Sequence, residues 1–235
     1  MARIIPRLFS QVSRRARCPV RAADVAARLL LESLEQRDTP STLFGRVDLR
    51  NPELSATGRH VAVIGQGSIG LLFSYVAKAA GAARVTGVDP VDRTAVAAAF
   101  GVDTVVRATS DRWVRHLSAA DKPDVVIEAV GHQVATLGHA VEAAAFGGTV
   151  FYFGVPDDDS YPISMRTMLR NNLTLKSGVT LDRRRVLARA DEFAKAHPEL
   201  LPAYLTHTVS VSDVQSAFEL ACRPTPQRIK IALVA

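Results

Sequence analysis

Short runs of apolar, mostly β-branched residues alternate with longer segments of helical pattern between about residues 60 and 180. Six runs have the character of strands, at residues 60–65, 84–89, 104–106, 124–130, 149–154 and 172–177. Strands that alternate with helices indicate βαβ units, and continuous apolar runs are typical of parallel strands covered on both faces. The pattern therefore predicts an α/β fold, a doubly wound parallel sheet with strand order 3-2-1-4-5-6.

The same pattern divides the chain into three parts. Residues 1–57 form an arginine-rich leader and linker, residues 58–180 the sheet domain, and residues 181–235 a helical tail with one last strand at residues 229–234. A family resemblance described below implies that this strand lacks its usual partners, and an unpaired apolar edge is an aggregation hazard unless it is covered. We therefore expect the tail to expose an open strand edge.

Charge is concentrated at one end of the chain. The formal net charge is +6, and residues 1–23 hold six arginines and no acidic residue, so the remainder is balanced. A nucleic-acid partner is not expected, because it would require a broad basic surface. A membrane span is not expected either, since no run approaches the roughly 18 apolar residues that a spanning helix needs.

Cysteine usage favours a reducing compartment. Cys18 and Cys222 are the two cysteines of the sequence, too few for a disulfide framework or a structural zinc cluster. We expect a cytoplasmic protein. The acid-free N-terminus leaves two further interpretations open, an organelle transit peptide and an unstructured leader.

A glycine-rich turn follows the first predicted strand directly. Its sequence is G-x-G-x-x-G, and a predicted helix begins within it. In this context the first glycine allows a tight turn, the second lets the backbone approach a pyrophosphate, and the third allows close packing of helix and strand. The free N–H groups and the positive end of the helix dipole would then bind the phosphates.

An acidic residue ends the second predicted strand. Asp89 lies 24 residues after Gly65, near the roughly 20-residue offset of a carboxylate that binds a ribose diol. A carboxylate there favours NAD, because it would repel the 2′-phosphate of NADP. Arg93 could lie along the adenosine and soften that exclusion, so NADP stays possible. The alternative is that Asp89 only caps the next helix.

Six segments resemble the coenzyme-binding half and C-terminal tail of the medium-chain dehydrogenases and reductases, the zinc-type alcohol dehydrogenase family. They are VAVIGQGSIG (61–70), GVDPVDR (87–93), DVVIEAVG (124–131), GGTVFYFGVP (147–156), LTLKSG (173–178) and the closing LTHTVSVSDVQSAFEL with IKIALV. The resemblance implies a Rossmann fold, a nicotinamide cofactor and hydride transfer to or from an alcohol, aldehyde or ketone.

The resemblance also implies roles for individual residues. Ala129 and Val130 match the segment beside the ribose and nicotinamide. Phe153, Gly154 and Val155 match the turn that meets the carboxamide, and Lys230 matches a basic residue that reaches the pyrophosphate. The residues expected to bind the cofactor are Gly65, Gln66, Gly67, Ser68, Ile69, Gly70, Asp89, Arg93, Ala129, Val130, Phe153, Gly154, Val155 and Lys230. Residues 161–165, from Tyr161 to Met165, resemble the edge through which such subunits form homodimers.

The sequence departs from the family in two ways. We expect the N-terminal, GroES-like catalytic domain of the family to be truncated or absent, because residues 1–57 do not resemble it. The Cys and G-H-E motif that bind catalytic zinc are not found, so we do not expect zinc and assign no catalytic or metal-ligating residue.

Other candidate residues have simpler interpretations. His132 follows Gly131 at the mouth of the expected site and is either a proton donor or, more often, a polar loop residue. The acidic triplet at 157–159 favours a solvated turn over a metal site.

Three functions therefore remain open at this point. The first is an NAD-dependent oxidoreductase of the medium-chain type, with activity impaired by the truncation. The second is a non-catalytic NAD-binding module or fragment. The third is an S-adenosylmethionine methyltransferase, which shares the glycine-rich turn but not the other segments.

Overall fold

The computed structural model describes residues 56–235, so the predicted leader and linker at residues 1–57 lie almost wholly outside the described residues. Within residues 56–235 the chain forms a six-stranded and a two-stranded sheet. The strands are β1 (His60–Ile64), β2 (Arg84–Asp89), β3 (Thr104–Arg107), β4 (Val125–Glu128), β5 (Thr149–Tyr152), β6 (Thr174–Lys176), β7 (Leu205–Ser210) and β8 (Lys230–Val234).

Helices connect the strands of the larger sheet and form much of the tail. They are α1 (Ser68–Ala79), α2 (Thr94–Ala97), α3 (Ser110–His116), α4 (Val134–Ala143), α5 (Met165–Arg170), α6 (Arg183–Ala196), α7 (Leu200–Tyr204) and α8 (Val214–Ala221). The larger sheet is parallel throughout, with order β3-β2-β1-β4-β5-β6. The predicted doubly wound Rossmann sheet and its strand order are confirmed.

Both faces of the sheet are covered at its centre, which explains why the middle positions of β1 and β4 are apolar. Val61 and Val63 of β1 face one side, where α1 packs through Phe73. Ala62 and Ile64 face the other side, under α3 and α4. Successive side chains of a strand point to opposite faces, so a strand covered twice needs apolar residues at both parities.

The register brings three strand ends to one edge. Ile64 of β1 lies beside Val88 of β2 and beside Glu128 of β4. Because the strands are parallel, the turns that leave β1, β2 and β4 all emerge at this carboxyl edge. Ligands of open α/β sheets bind outside this edge, at the point where the strand order reverses.

The tail differs from its prediction in one respect. It contains β7 in addition to the final strand, and the two strands pair in parallel, with Val209 opposite Leu233. The expectation that the last strand has no partner was therefore wrong. The tail contacts the sheet domain through a small core in which Leu200 and Ile229 pack against Leu71 and Phe100.

Candidate dinucleotide-binding site

The first glycine of the motif makes the turn that ends β1. Gly65 has φ +89°, a conformation that L side chains rarely adopt, and its N–H donates to the carbonyl of Val88 over 2.8 Å. A Cβ at Gly65 would lie 2.8 Å from Cγ2 of Val130. Glycine is therefore needed for the backbone conformation and for the close approach of the β4 turn.

The other two motif glycines have different surroundings. A Cβ at Gly70 would lie 1.7 Å from the carbonyl oxygen of Gly65, so α1 and the turn touch there. A Cβ at Gly67 would meet nothing within 4 Å, which leaves open space beside the start of α1. The first turn of α1 has no side-chain cap and no acidic residue. Uncapped N–H groups facing open space suit an anion such as a pyrophosphate.

Asp89 connects the ribose-binding position to the glycine-rich turn. Its Oδ2 accepts the N–H of Gln66 over 2.6 Å, and its Oδ1 accepts the N–H of Val91 over 2.7 Å. A carboxylate has about four acceptor positions, so two remain for a diol. The capping alternative is not observed, because Arg93 occupies the N-cap position of α2 without a side-chain cap.

One cavity joins these features. It has a volume of about 580 Å³, and Gly65, Gly67, Asp89, Ala129 and Val130 contribute to its lining. Cavities that bind small molecules and cofactors have volumes of roughly 300–1,000 Å³. The structure therefore brings the glycine-rich turn, the acid after β2 and the turn after β4 around a single space that fits part of a dinucleotide.

The far wall of this cavity was missed by sequence reasoning. It includes Ser110 at the start of α3 and His139 on α4, whose side chains are hydrogen-bonded over 2.9 Å, together with Thr136. These residues belong to no motif and are brought together by the crossover helices. Ser110 lies three residues after the carboxyl end of β3, whereas Thr136 and His139 lie within α4.

Two of the expected cofactor-binding residues have other partners. The side chain of Gln66 is 1% exposed and lies over Gly87, where its amide donates to the carbonyl of Val63 over 3.2 Å and its Oε1 accepts from Ser74 over 3.3 Å. Because its N–H also binds Asp89, the side chain and N–H of Gln66 build the turn from inside, and its expected contact with the cofactor stays a prediction.

Arg93 points to the tail instead of the cavity. Its side chain is 6% exposed, and its Nη1 donates to the carbonyls of Thr225, Pro226 and Arg228 over 2.9, 2.9 and 3.2 Å. Burial lowers the pKa of Arg93. Arg93 therefore has a structural contact with the tail, and its expected place along the adenosine stays a prediction.

The remaining residues of the turn are placed around the start of α1. Ser68 begins the helix, and its side chain is hydrogen-bonded to Tyr204 of α7, whose pKa is raised by burial. Ile69 is partly buried against the α1 face of the sheet.

Lys230 opens β8 with an exposed side chain and does not line the cavity. Its expected contact with the pyrophosphate stays a prediction.

The turns after β4 and β5 lie against each other. A Cβ at Gly154 would lie 2.4 Å from Cα of Gly131, and the N–H of His132 donates to the carbonyl of Val155 over 3.1 Å. The neighbouring Phe153 packs edge-to-face on Phe73 with 4.8 Å between ring centroids. The two segments that the family resemblance assigns to the nicotinamide side are thus one packed unit.

A buried carboxyl group supports this unit from below. Glu128, the last residue of β4, is 0% exposed, and its Oε1 accepts from the N–H groups of Val130 and Gly131 and from Oγ1 of Thr136. Burial raises the pKa of Glu128, while those hydrogen bonds oppose the rise. Sequence reasoning did not single out Glu128, although an acid inside an apolar strand was a visible signal.

His132, in the turn after β4, has an unusual backbone conformation and a close side-chain partner. It has φ +51°, and its Nδ1 lies 2.5 Å from Oδ1 of Asp157. Both side chains are more than half exposed. The acidic triplet therefore supplies a partner for His132, in agreement with a solvated polar turn.

No group of three or more potential metal ligands lies together within residues 56–235. The part of the chain that the structure describes thus offers no ligand set for the zinc of zinc-type dehydrogenases. Over the same residues, no helix is both long enough and apolar enough to span a membrane.

Comparisons with known proteins agree with this geometry. The chain is 32% identical over 120 residues to the D-guloside 3-dehydrogenase of Escherichia coli K12, a match that covers 48% of this chain and 34% of that enzyme. The alcohol dehydrogenase TADH of Thermus sp. ATN1 is 29% identical, with a TM-score of 0.62, over 76% of this chain and 52% of that one. This chain therefore spans about a third to a half of the proteins it matches.

A third similarity concerns the fold alone. A short chain alcohol dehydrogenase of Escherichia coli CFT073, solved in complex with NADH, superposes with a TM-score of 0.63 at 21% identity, over 76% of this chain and 53% of that one.

The family model described as zinc-binding dehydrogenase matches residues 68–196, which is more than half of the chain. This match favours the dehydrogenase interpretation over a methyltransferase. The chain belongs to the zinc-binding dehydrogenase family of medium-chain alcohol dehydrogenases.

Proposed function

We propose that the chain is an NAD-binding oxidoreductase that takes part in hydride transfer between a nicotinamide cofactor and an alcohol, aldehyde or ketone. One observation carries the proposal: Gly65, Gly67 and Asp89 line the same cavity at the carboxyl edge of the sheet. The dehydrogenase names of the relatives support the reaction class. When bound, the cofactor would supply the hydride chemistry.

The residues have separate parts in this proposal. The open first turn of α1 binds the pyrophosphate, and Asp89 binds the adenosine ribose and favours NAD over NADP. Ala129 and Val130 contact the ribose from the β4 turn. Gly154 and Val155 meet the nicotinamide carboxamide. NADP stays possible, because one carboxylate sets a preference and not an absolute exclusion.

Binding calorimetry with NADH, NADPH and S-adenosylmethionine tests the proposal. We expect NADH to bind more tightly than NADPH and the methyl donor not to bind. Binding of the methyl donor alone would contradict the proposal.

A second candidate function is a non-catalytic NAD-binding module. The cavity lined by Gly65, Gly67 and Asp89 would bind a dinucleotide in this case as well. An activity assay with alcohols and aldehydes, with and without added zinc, separates the two. NADH binding without turnover under either condition would favour the module.

We also propose that the chain forms a homodimer through residues 161–165, next to the edge of the larger sheet. Met165 and Leu169 have exposed fractions of 68% and 79%, and β6 is the outermost strand on that side. Light scattering of the wild type and of Met165→Asp tests this, with a dimer expected for the first and a monomer for the second.

The small number of cysteines supports a cytoplasmic location as part of the same proposal.

A further inference from the structure

The side chain of Glu128 combines full burial with incomplete hydrogen bonding. Its Oε1 receives three donors, at 3.0 Å from Val130, 3.3 Å from Gly131 and 2.9 Å from Thr136. Its Oε2 is buried and makes no hydrogen bond of the usual geometry, although the backbone amide of Gly154 lies close enough to the carboxyl group to lower its pKa. A carboxyl oxygen left this way costs folding free energy, so its retention suggests a use beyond stability.

The unpartnered oxygen lies directly under the paired turns. A Cβ at Gly154 would be 2.6 Å from Oε2 and 2.4 Å from Cα of Gly131. Little space therefore separates the carboxyl group from the turn that the proposed function assigns to the nicotinamide. An electric field acting through packed protein is screened much less than one acting through water.

The groups packed around Glu128 do not neutralise it. Its donors are backbone amides and the Thr136 hydroxyl, all uncharged. On the adjoining turns, His132 is paired with Asp157. Tyr152, beside Glu128 on β5, has a raised pKa, chiefly through burial, next through the neighbouring Tyr161 hydroxyl, and least through the charges of Glu128 and Asp157. An ionised Glu128 therefore adds a negative potential at these turns.

We propose that Glu128 is a specificity-determining residue that favours the oxidised cofactor over the reduced one. The nicotinamide ring carries a positive charge when oxidised and none when reduced, so a buried carboxylate nearby stabilises only the oxidised form. This inference rests on the proposed function, since it requires the nicotinamide to lie on the turns after β4 and β5. Glu128 need not touch the cofactor to act in this way.

The experiment measures the dissociation constants of NAD⁺ and NADH for the full chain and for Glu128→Gln. We expect the substitution to weaken NAD⁺ by on the order of tenfold and NADH much less, as for the loss of one partly screened charge. Asp124→Asn is the matched control. Asp124 is a carboxylate just before the other end of β4, where it accepts the N–H of His60 over 2.9 Å, and its loss should leave the ratio unchanged.

A second experiment measures the NAD⁺ and NADH dissociation constants of the wild type as a function of pH, with Glu128→Gln as the reference. As the pH falls through its pKa, Glu128 becomes neutral, so the preference of the wild type for NAD⁺ should decline towards that of Glu128→Gln. The pair formed by His132 and Asp157 lies on the adjoining turns and is a second charged element near the ring. The His132→Gln variant should therefore keep the pH dependence if Glu128 is its source.

The outcomes distinguish the inference from the proposed function. An equal loss of affinity for NAD⁺ and NADH in Glu128→Gln would overturn the role of Glu128. A wild-type ratio of the two dissociation constants that does not change with pH would also overturn it. Either result would leave the proposed function of the wild type intact. If the wild type binds neither nucleotide, the proposed function is wrong and the inference is overturned with it.

Discussion

The carboxylate of Asp89 accepts the backbone N–H of Gln66, with 2.6 Å between Oδ2 and the amide nitrogen. This hydrogen bond ties the acid at the end of β2 to the turn at the end of β1. The residue proposed to bind ribose and the turn proposed to bind phosphate are therefore held in fixed relation before any ligand arrives. Such preorganisation lowers the entropic cost of binding.

Gly67→Val should weaken NADH binding without unfolding the protein. A Cβ at Gly67 meets nothing within 4 Å, so the larger side chain fits the protein but occupies the space proposed for the pyrophosphate. We expect the dissociation constant measured by calorimetry to rise at least about tenfold, or about 1.4 kcal/mol. Gly138→Ala, on α4, is the control, and unchanged NADH affinity in Gly67→Val would mean that this turn does not bind phosphate.

Gly70→Ala should lower the stability of the protein. The added methyl group would lie 1.7 Å from the carbonyl oxygen of Gly65, and backbone cannot yield as a flexible side chain does. We expect the free energy of unfolding, from urea titration, to fall by about 1–3 kcal/mol or more. A stability equal to that of the wild type would show that α1 packs less closely on the turn than described.

Asp89→Asn should narrow the preference for NADH over NADPH. The substitution keeps the side-chain shape, removes the charge that repels a 2′-phosphate, and weakens the acceptor offered to a ribose diol. We expect the ratio of the two dissociation constants to change by about tenfold, equivalent to about 1.4 kcal/mol. Asp92→Asn removes a nearby charge that does not line the cavity, and an equal change there would contradict the assignment.

Arg93→Met should destabilise the protein while leaving NADH affinity nearly unchanged. The substitution removes the donor shared by the carbonyls of Thr225, Pro226 and Arg228, at a cost of about 1–3 kcal/mol in unfolding free energy. In the control Arg107→Met, the lost side chain is 70% exposed, so we expect a change within about 0.5 kcal/mol. A large loss of NADH affinity in Arg93→Met would restore its expected place beside the adenosine.

Stability should depend on pH through Glu128. Because its pKa in the folded protein is raised above 4.5, its contribution to stability is fully present below that value and is lost as the pH rises through the folded-state pKa. Urea unfolding across this range should show the wild type losing stability relative to Glu128→Gln. A constant difference between the two would indicate that Glu128 keeps an ordinary pKa.

Strand patterning explains why most of the fold could be predicted from the sequence. The central strands of the sheet domain are covered on both faces, so their apolar runs were visible, and the parallel order followed from the alternation with helices. Strand β7 was missed because it lies in the tail, where its alternating polar residues and half-exposed faces give a weak signal. Its partner β8 is 20 residues further along the chain.

The candidate site was predictable only where a local motif exists. The glycine-rich turn and Asp89 are close in sequence and follow known spacing rules, so they could be assigned. The contact of Arg93 with the tail could not be predicted, because its carbonyl partners are more than 130 residues away. The pair formed by Ser110 and His139 depends on the packing of two crossover helices, which no local pattern encodes.

A crystal structure of the full chain with NADH tests the central claim most directly. The account predicts the pyrophosphate within hydrogen-bonding distance of the first-turn amides of α1, and the adenosine ribose on the carboxylate of Asp89. A dinucleotide bound elsewhere, or none at this edge of the sheet at saturating NADH, would contradict it.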